Sequence, residues 1–165
     1  MRKDDGYRTG LRQVLAWAYR GEVSGETLFA ELAEVFAKDG HRSKLEVLSR
    51  LERAMARALS PLLVRYGVDG GDDERSRQRG CDNAAVVAAQ GWRAFLEQFG
   101  PVTENALRRY RALVQSCPDG TNPTFDLLIA HEEALQAFAA AELSQAGDQA
   151  LEPVNVVLAR LTHVS

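Results

Sequence analysis

Apolar residues recur at alternating three- and four-residue steps along most of this 165-residue chain, the spacing of a packed helical seam. The first run reads Leu11, Leu15, Ala18, Glu22, Gly25, Phe29, Leu32 and Phe36. The second reads Leu45, Leu48, Glu52, Met55, Leu59, Leu62 and Tyr66. Glycine and proline divide the pattern into segments. It predicts helices over 7–38, 43–66, 82–99, 101–116 and 123–146, and a short one near 153–162. Gly67 ends the second, and Gly100-Pro101 separates the third from the fourth, with Pro101 suited to a first-turn position. The run SCPDGTNP at 116–123 reads as a turn.

The polar stretch 67–80 lies between the second and third segments. Fourteen residues reach at most roughly 45 Å when extended. Neighbouring antiparallel helices need only a few residues to connect, so this stretch is long enough to cross a bundle from end to end. A surface loop between neighbouring helices fits its composition equally well. No internal repeat or low-complexity segment is visible.

Composition narrows the fold class. The chain holds 24 Ala and 20 Leu against 14 Val, 6 Thr and one Ile. Helices favour the first pair and strands the other three. The expectation is an all-α single domain over 1–165, with 67–80 as crossover loop and 147–165 as a C-terminal extension.

Charge narrows the partners. With 20 basic and 23 acidic residues the net charge is −3, and the arginines are scattered, so no basic face is written for phosphates. No apolar stretch reaches a membrane-spanning length, and the polar start of the chain does not read as a signal peptide. The expected partners include no nucleic acid and no membrane; a homodimer through an exposed helix face and an unspecified small-molecule substrate are expected. Cys81 and Cys117 form no C-x-x-C pair and read as two reduced thiols in a cytoplasmic protein, with a single disulfide between them as the alternative.

The candidate chemistry lies where the seams are interrupted. Glu22 and Glu52 each break an otherwise apolar run at mid-helix. In the fifth segment Leu128, Leu135 and Phe138 mark the stripe, and His131 and Glu132 fill the gap at its centre. A buried carboxylate is costly unless paired, hydrogen-bonded or metal-bound. Three such interruptions at similar depth suggest a shared interior cluster, which is how helical bundles build metal sites. The alternatives are salt bridges from Glu22 and Glu52 to Arg20, Arg53 or Arg57, pairing of these glutamates with His131 without metal, and a satisfied core histidine at 131. Glu31, Glu34, Glu133 and Glu142 read as a solvated face. Glu104 suits a first helical turn. No phosphate loop, G-x-S-x-G or H-E-x-x-H is present.

This order of helix-borne Glu, second Glu, long crossover and last helix with His and Glu resembles the ferritin-like di-iron carboxylate superfamily, which includes rubrerythrin-like proteins and demethoxyubiquinone hydroxylases. Gly21-Glu22-Val23-Ser24-Gly25 looks like the Gly-Glu opening of the hydroxylase branch, and His131-Glu132-Glu133-Ala134-Leu135 like the last ligand-bearing helix. The resemblance implies a four-helix bundle, with the third bundle helix broken near Gly100-Pro101 and an extra C-terminal helix.

It also implies Glu-x-x-His on two helices, yet Met55 follows Glu52 and Leu135 follows Glu132 at that spacing. Glu97 and Glu104 lie off the stripes of the third bundle helix. The remaining ligand set is Glu22, Glu52, His131 and Glu132, enough for one ion of Fe, Mn or Zn, or for none. The expected function is a bundle with a degenerate carboxylate/histidine centre and little or no di-iron catalysis. The alternative is a mono- or dinuclear metal-dependent oxidoreductase. Catalytic residues and electron donor stay unassigned.

Overall fold

The computed structural model describes residues 2–116 and 122–163. Among these, all regular structure is helical: α1 (Arg2–Val35), α2 (Arg42–Tyr66), α3 (Asp73–Gln90), α4 (Trp92–Gln115), α5 (Pro123–Leu143), a 3-10 turn (Gly147–Leu151) and α6 (Glu152–Thr162). The all-α expectation holds. Most of the 116–123 turn, with Cys117, lies outside the described residues; Cys81 is a free, half-buried thiol. No described helix is long and apolar enough to cross a membrane.

The seams decide which faces pack. Every member of the α1 run is buried except Gly25, and every member of the α2 run except Tyr66; those two are half-buried. α1 and α2 run antiparallel. Arg12 donates to the carbonyls of Tyr66 and Gly67 at 3.0 and 2.7 Å, capping the end of α2, and at the far end Arg42 pairs with Glu34 at 2.7 Å. Gly67, at φ 59°, turns the chain out of the helix in the left-handed region that glycine tolerates.

The connection 67–72 differs from the expected crossover loop, because the rest of 67–80 is helical. Asp72 caps α3 by accepting from the backbone amides of Glu74 and Arg75. Ser76, Gly80, Ala84 and Val87 then form a narrow buried stripe, small enough to lie close against α1. A Cβ on Gly80 would stand 2.5 Å from the Ser24 carbonyl and 2.8 Å from Thr27 Cβ. Tyr19 reaches Asp73 at 3.3 Å, while Trp92, just beyond α3, packs on Phe36. The chain therefore returns along α1 as a helix.

A second difference concerns Gly100-Pro101, where no break occurs and α4 runs straight through. Pro101 removes one backbone donor, but it is exposed, so water can reach the freed carbonyl. Two positions on, the Thr103 hydroxyl donates to the Phe99 carbonyl at 2.6 Å. The boundary sits instead at Gly91, at φ 88°.

α4 runs back along α1, with Phe95 and Phe99 against Phe29 and Tyr110 against Trp17. α5 then returns antiparallel to α2, from His131 beside Glu52 to Glu142 beside Lys44. α6, the expected short C-terminal helix, packs on α5 and α2. One expected surface position is different. The Glu142 side chain is only 5% exposed and pairs with Lys44 at 2.5 Å, so it joins α2 to α5 rather than facing solvent. Glu31, Glu34 and Glu133 are exposed.

Candidate metal centre

α1 brings Glu22, α2 brings Glu52 and α5 brings His131 to one point in the core, at 3%, 4% and 1% exposure. His131 Nε2 donates to Glu52 Oε1 at 3.0 Å, and Glu22 Oε2 lies 3.3 Å from the same nitrogen. One donor atom from each residue lies within 4.8 Å of the other two. These separations resemble the edges of a coordination shell, since bonds of about 2.1 Å put neighbouring ligands about 3–3.5 Å apart. Two buried atoms, Glu22 Oε2 and His131 Nδ1, have no hydrogen-bond partner. An orphaned carboxylate oxygen beside a second carboxylate is a strong demand for positive charge.

Glu132 is buried as expected, but it sits on the other side of the ring. Its Oε1 is 3.8 Å from His131 Nδ1, longer than a hydrogen bond, while Glu22 and Glu52 gather at Nε2. The arginine alternative is not what forms. Arg53 pairs with Glu26 at 2.6 Å, and neither Glu22 nor Glu52 pairs with an arginine among the described residues. Glu97 is exposed and bridged to Arg93 at 2.9 Å; Glu104 is exposed. α4 therefore adds no carboxylate to the cluster.

Gly25 makes the cluster possible, because any Cβ there would collide with the Glu52 carboxylate. The seam included Gly25 but gave no sign of what it faces, since the α1–α2 register is not in the sequence. Tyr110 is a second addition: it is buried and lines the same cavity as Glu22 and His131. Burial, reinforced by Glu22, Glu132 and Glu52, holds its phenol well above the usual range.

Burial also raises Glu22 and Glu132, with His131 opposing. Burial pulls His131 down, but Glu22 and Glu52 outweigh it and hold the ring well above its ordinary value. Without a cation, the cluster neutralises itself with protons. Each of these groups binds its proton more tightly folded than unfolded. Its contribution to stability is full below the unfolded pKa and is lost as pH rises through the folded value. Chelated protein is therefore expected to melt lower as pH rises from about 7 to 9. Ordinary carboxylates are already ionised across that window, and His41, which burial lowers, has lost its proton. Melting scans in EDTA across that window check the sign, and a rising melting temperature contradicts it.

Comparison with known protein families, curated proteins and solved structures finds no match.

Proposed function

We propose that the chain is a ferritin-like four-helix bundle of α1, α2, α4 and α5 whose centre holds one transition-metal ion. The helix directions support the bundle. α1 and α5 run one way, α2 and α4 the other, and α3 is the single crossover such folds require. The observation that carries the metal reading is the convergence of Glu22 Oε2, Glu52 Oε1 and His131 Nε2 in a buried cluster where the first of these has no hydrogen-bond partner.

Glu22 and Glu52 are the carboxylate ligands and His131 Nε2 the imidazole ligand, a set suited to Fe, Mn or Zn. Glu132 takes a different role from the one first expected. It lies 3.8 Å from Nδ1, on the side from which a carboxylate would orient the ring of a metal-bound histidine on closing to hydrogen-bond distance. The residues do not fit a second ion, because Met55 and Leu135 occupy the two positions where histidine would be needed, and α4 contributes Thr103 and Tyr110 instead. An ion here supplies Lewis-acid or redox chemistry to a molecule in the neighbouring cavity. The residues would bind it and leave it facing that cavity.

A metal-free centre is the second reading, favoured by the 3.0 Å bond that already pairs His131 with Glu52. Thermal melts separate the two. Under the metal reading, EDTA lowers the melting temperature of protein purified without chelator, because an ion bound only to the folded state adds stability by mass action. Glu22→Leu then melts lower than the parent in the absence of chelator. Under the metal-free reading EDTA changes nothing, and Glu22→Leu melts no lower because a costly buried polar group has gone.

A further inference from the structure

A cavity of 740 Å³ runs from the cluster to the surface between α1, α3, α4 and α5, within the size range of small-molecule sites. Its surroundings change in kind along its length. Glu22, Glu52, His131 and Glu132 lie at the buried end, and all the acidic groups that line it are there. Phe29, Phe95 and Phe99, packed ring against ring, form an aromatic wall of the cavity. Arg79, exposed, and Arg20, half-buried, are the two cations among its lining residues; the other exposed ones, Asn83, Val86, Gln98 and Val102 among them, are neutral. Arg79 donates to the Arg20 carbonyl at 3.0 Å, which holds its guanidinium near the mouth. Neither arginine forms an ion pair among the described residues.

A cation-bearing mouth, an apolar shaft and a metal-binding floor select a ligand with one anionic end and one apolar end. We infer that this cavity binds a medium-chain alkyl carboxylate, with its head group at Arg20 and Arg79 and its chain along Phe29, Phe95 and Phe99. A guanidinium matches a carboxylate with two parallel donors, and burial of each methylene adds favourable transfer free energy. In the metal-free protein the reverse orientation would put the carboxylate near three acidic side chains, and with or without an ion it would leave both arginines without an anion. The inference gives the proposed centre a substrate class, and it rests on that reading only for what meets the chain's inner end.

The test is calorimetric titration of the full-length chain with decanoate and, separately, with the neutral isostere 1-decanol, each in EDTA and after loading with one equivalent of Mn²⁺. Decanoate is expected to bind at least tenfold more tightly than decanol. Arg20→Gln combined with Arg79→Gln, both away from the core, should erase that difference while leaving decanol binding unchanged. Gly21→Phe should block both ligands without lowering the melting temperature, since Gly21 lines the cavity, is exposed, and an added Cβ there meets nothing within 4 Å. Equal binding of the two ligands, no binding of either, or a preference that survives loss of both arginines overturns the inference. Decanoate binding in EDTA to a protein that retains no Mn²⁺ leaves it standing and removes the metal reading instead.

Discussion

Gly25→Ala is expected to lose metal affinity by at least tenfold while the helices stay folded. The added methyl would occupy the space of the Glu52 carboxylate, whose Oε1 is bonded to His131. A surface glutamate would swing aside at little cost, but Glu52 is 4% exposed and has to break from His131 to move. Disturbing the groups that orient a metal ligand typically costs 10–100-fold in affinity, and here a ligand itself moves. Gly25 lies inside a helix, where Ala adds up to about 1 kcal/mol of helix propensity, so chelated Gly25→Ala should melt within a few degrees of chelated parent. Competition titration against a metal indicator reads the first effect and a thermal melt the second. Unchanged affinity means that Glu52 is not a ligand.

Gly80→Val should have the largest effect on folding. The nearest neighbours of its missing Cβ are the Ser24 carbonyl, Thr27 Cβ and the Leu28 amide at 2.5, 2.8 and 3.1 Å, atoms fixed to the α1 backbone that cannot rotate away. Overpacking of this kind costs about 1–3 kcal/mol, occasionally more. Each 1 kcal/mol shifts the melting temperature of a domain this size by about 2–4 °C, so a fall on the order of 5–10 °C is expected. α1 carries Glu22 at the level of this crossing, so displacing α3 should also loosen the centre. A variant that melts like the parent would show that α3 does not lie against α1 as described.

The two glycines show what the sequence reveals and what it hides. Period and burial agree closely in α1 and α2, because a long amphipathic helix has one apolar face and therefore one way to pack. The same rule picks out Glu22, Glu52 and the pair His131 and Glu132 from spacing alone, since an ionisable residue on an apolar face is costly to bury unless it meets a partner or an ion. α3 was harder to read. Its buried positions are Ser76, Gly80, Ala84 and Val87, small residues that produce no hydrophobic signal, although Asp72-Asp73-Glu74 is a helix-start pattern and the four positions keep helical spacing.

Gly100-Pro101 misled in the other direction. The stripe Phe95, Phe99, Thr103, Leu107, Tyr110 continues through it without a phase change, and that continuity outweighs the local breaking tendency of an exposed proline. The side of the His131 ring on which Glu132 lies was not legible at all. Adjacent residues on one helix diverge by about 100°, and which of them meets α1 and α2 depends on tertiary packing.

Metal content bears most directly on the single-ion centre. Protein purified without chelator is analysed by elemental mass spectrometry beside a His131→Ala variant prepared in the same way. Close to one equivalent of Fe, Mn or Zn per chain is expected in the parent, and almost none in His131→Ala. No metal in the parent, or the same amount in both proteins, would contradict a centre built on Glu22, Glu52 and His131.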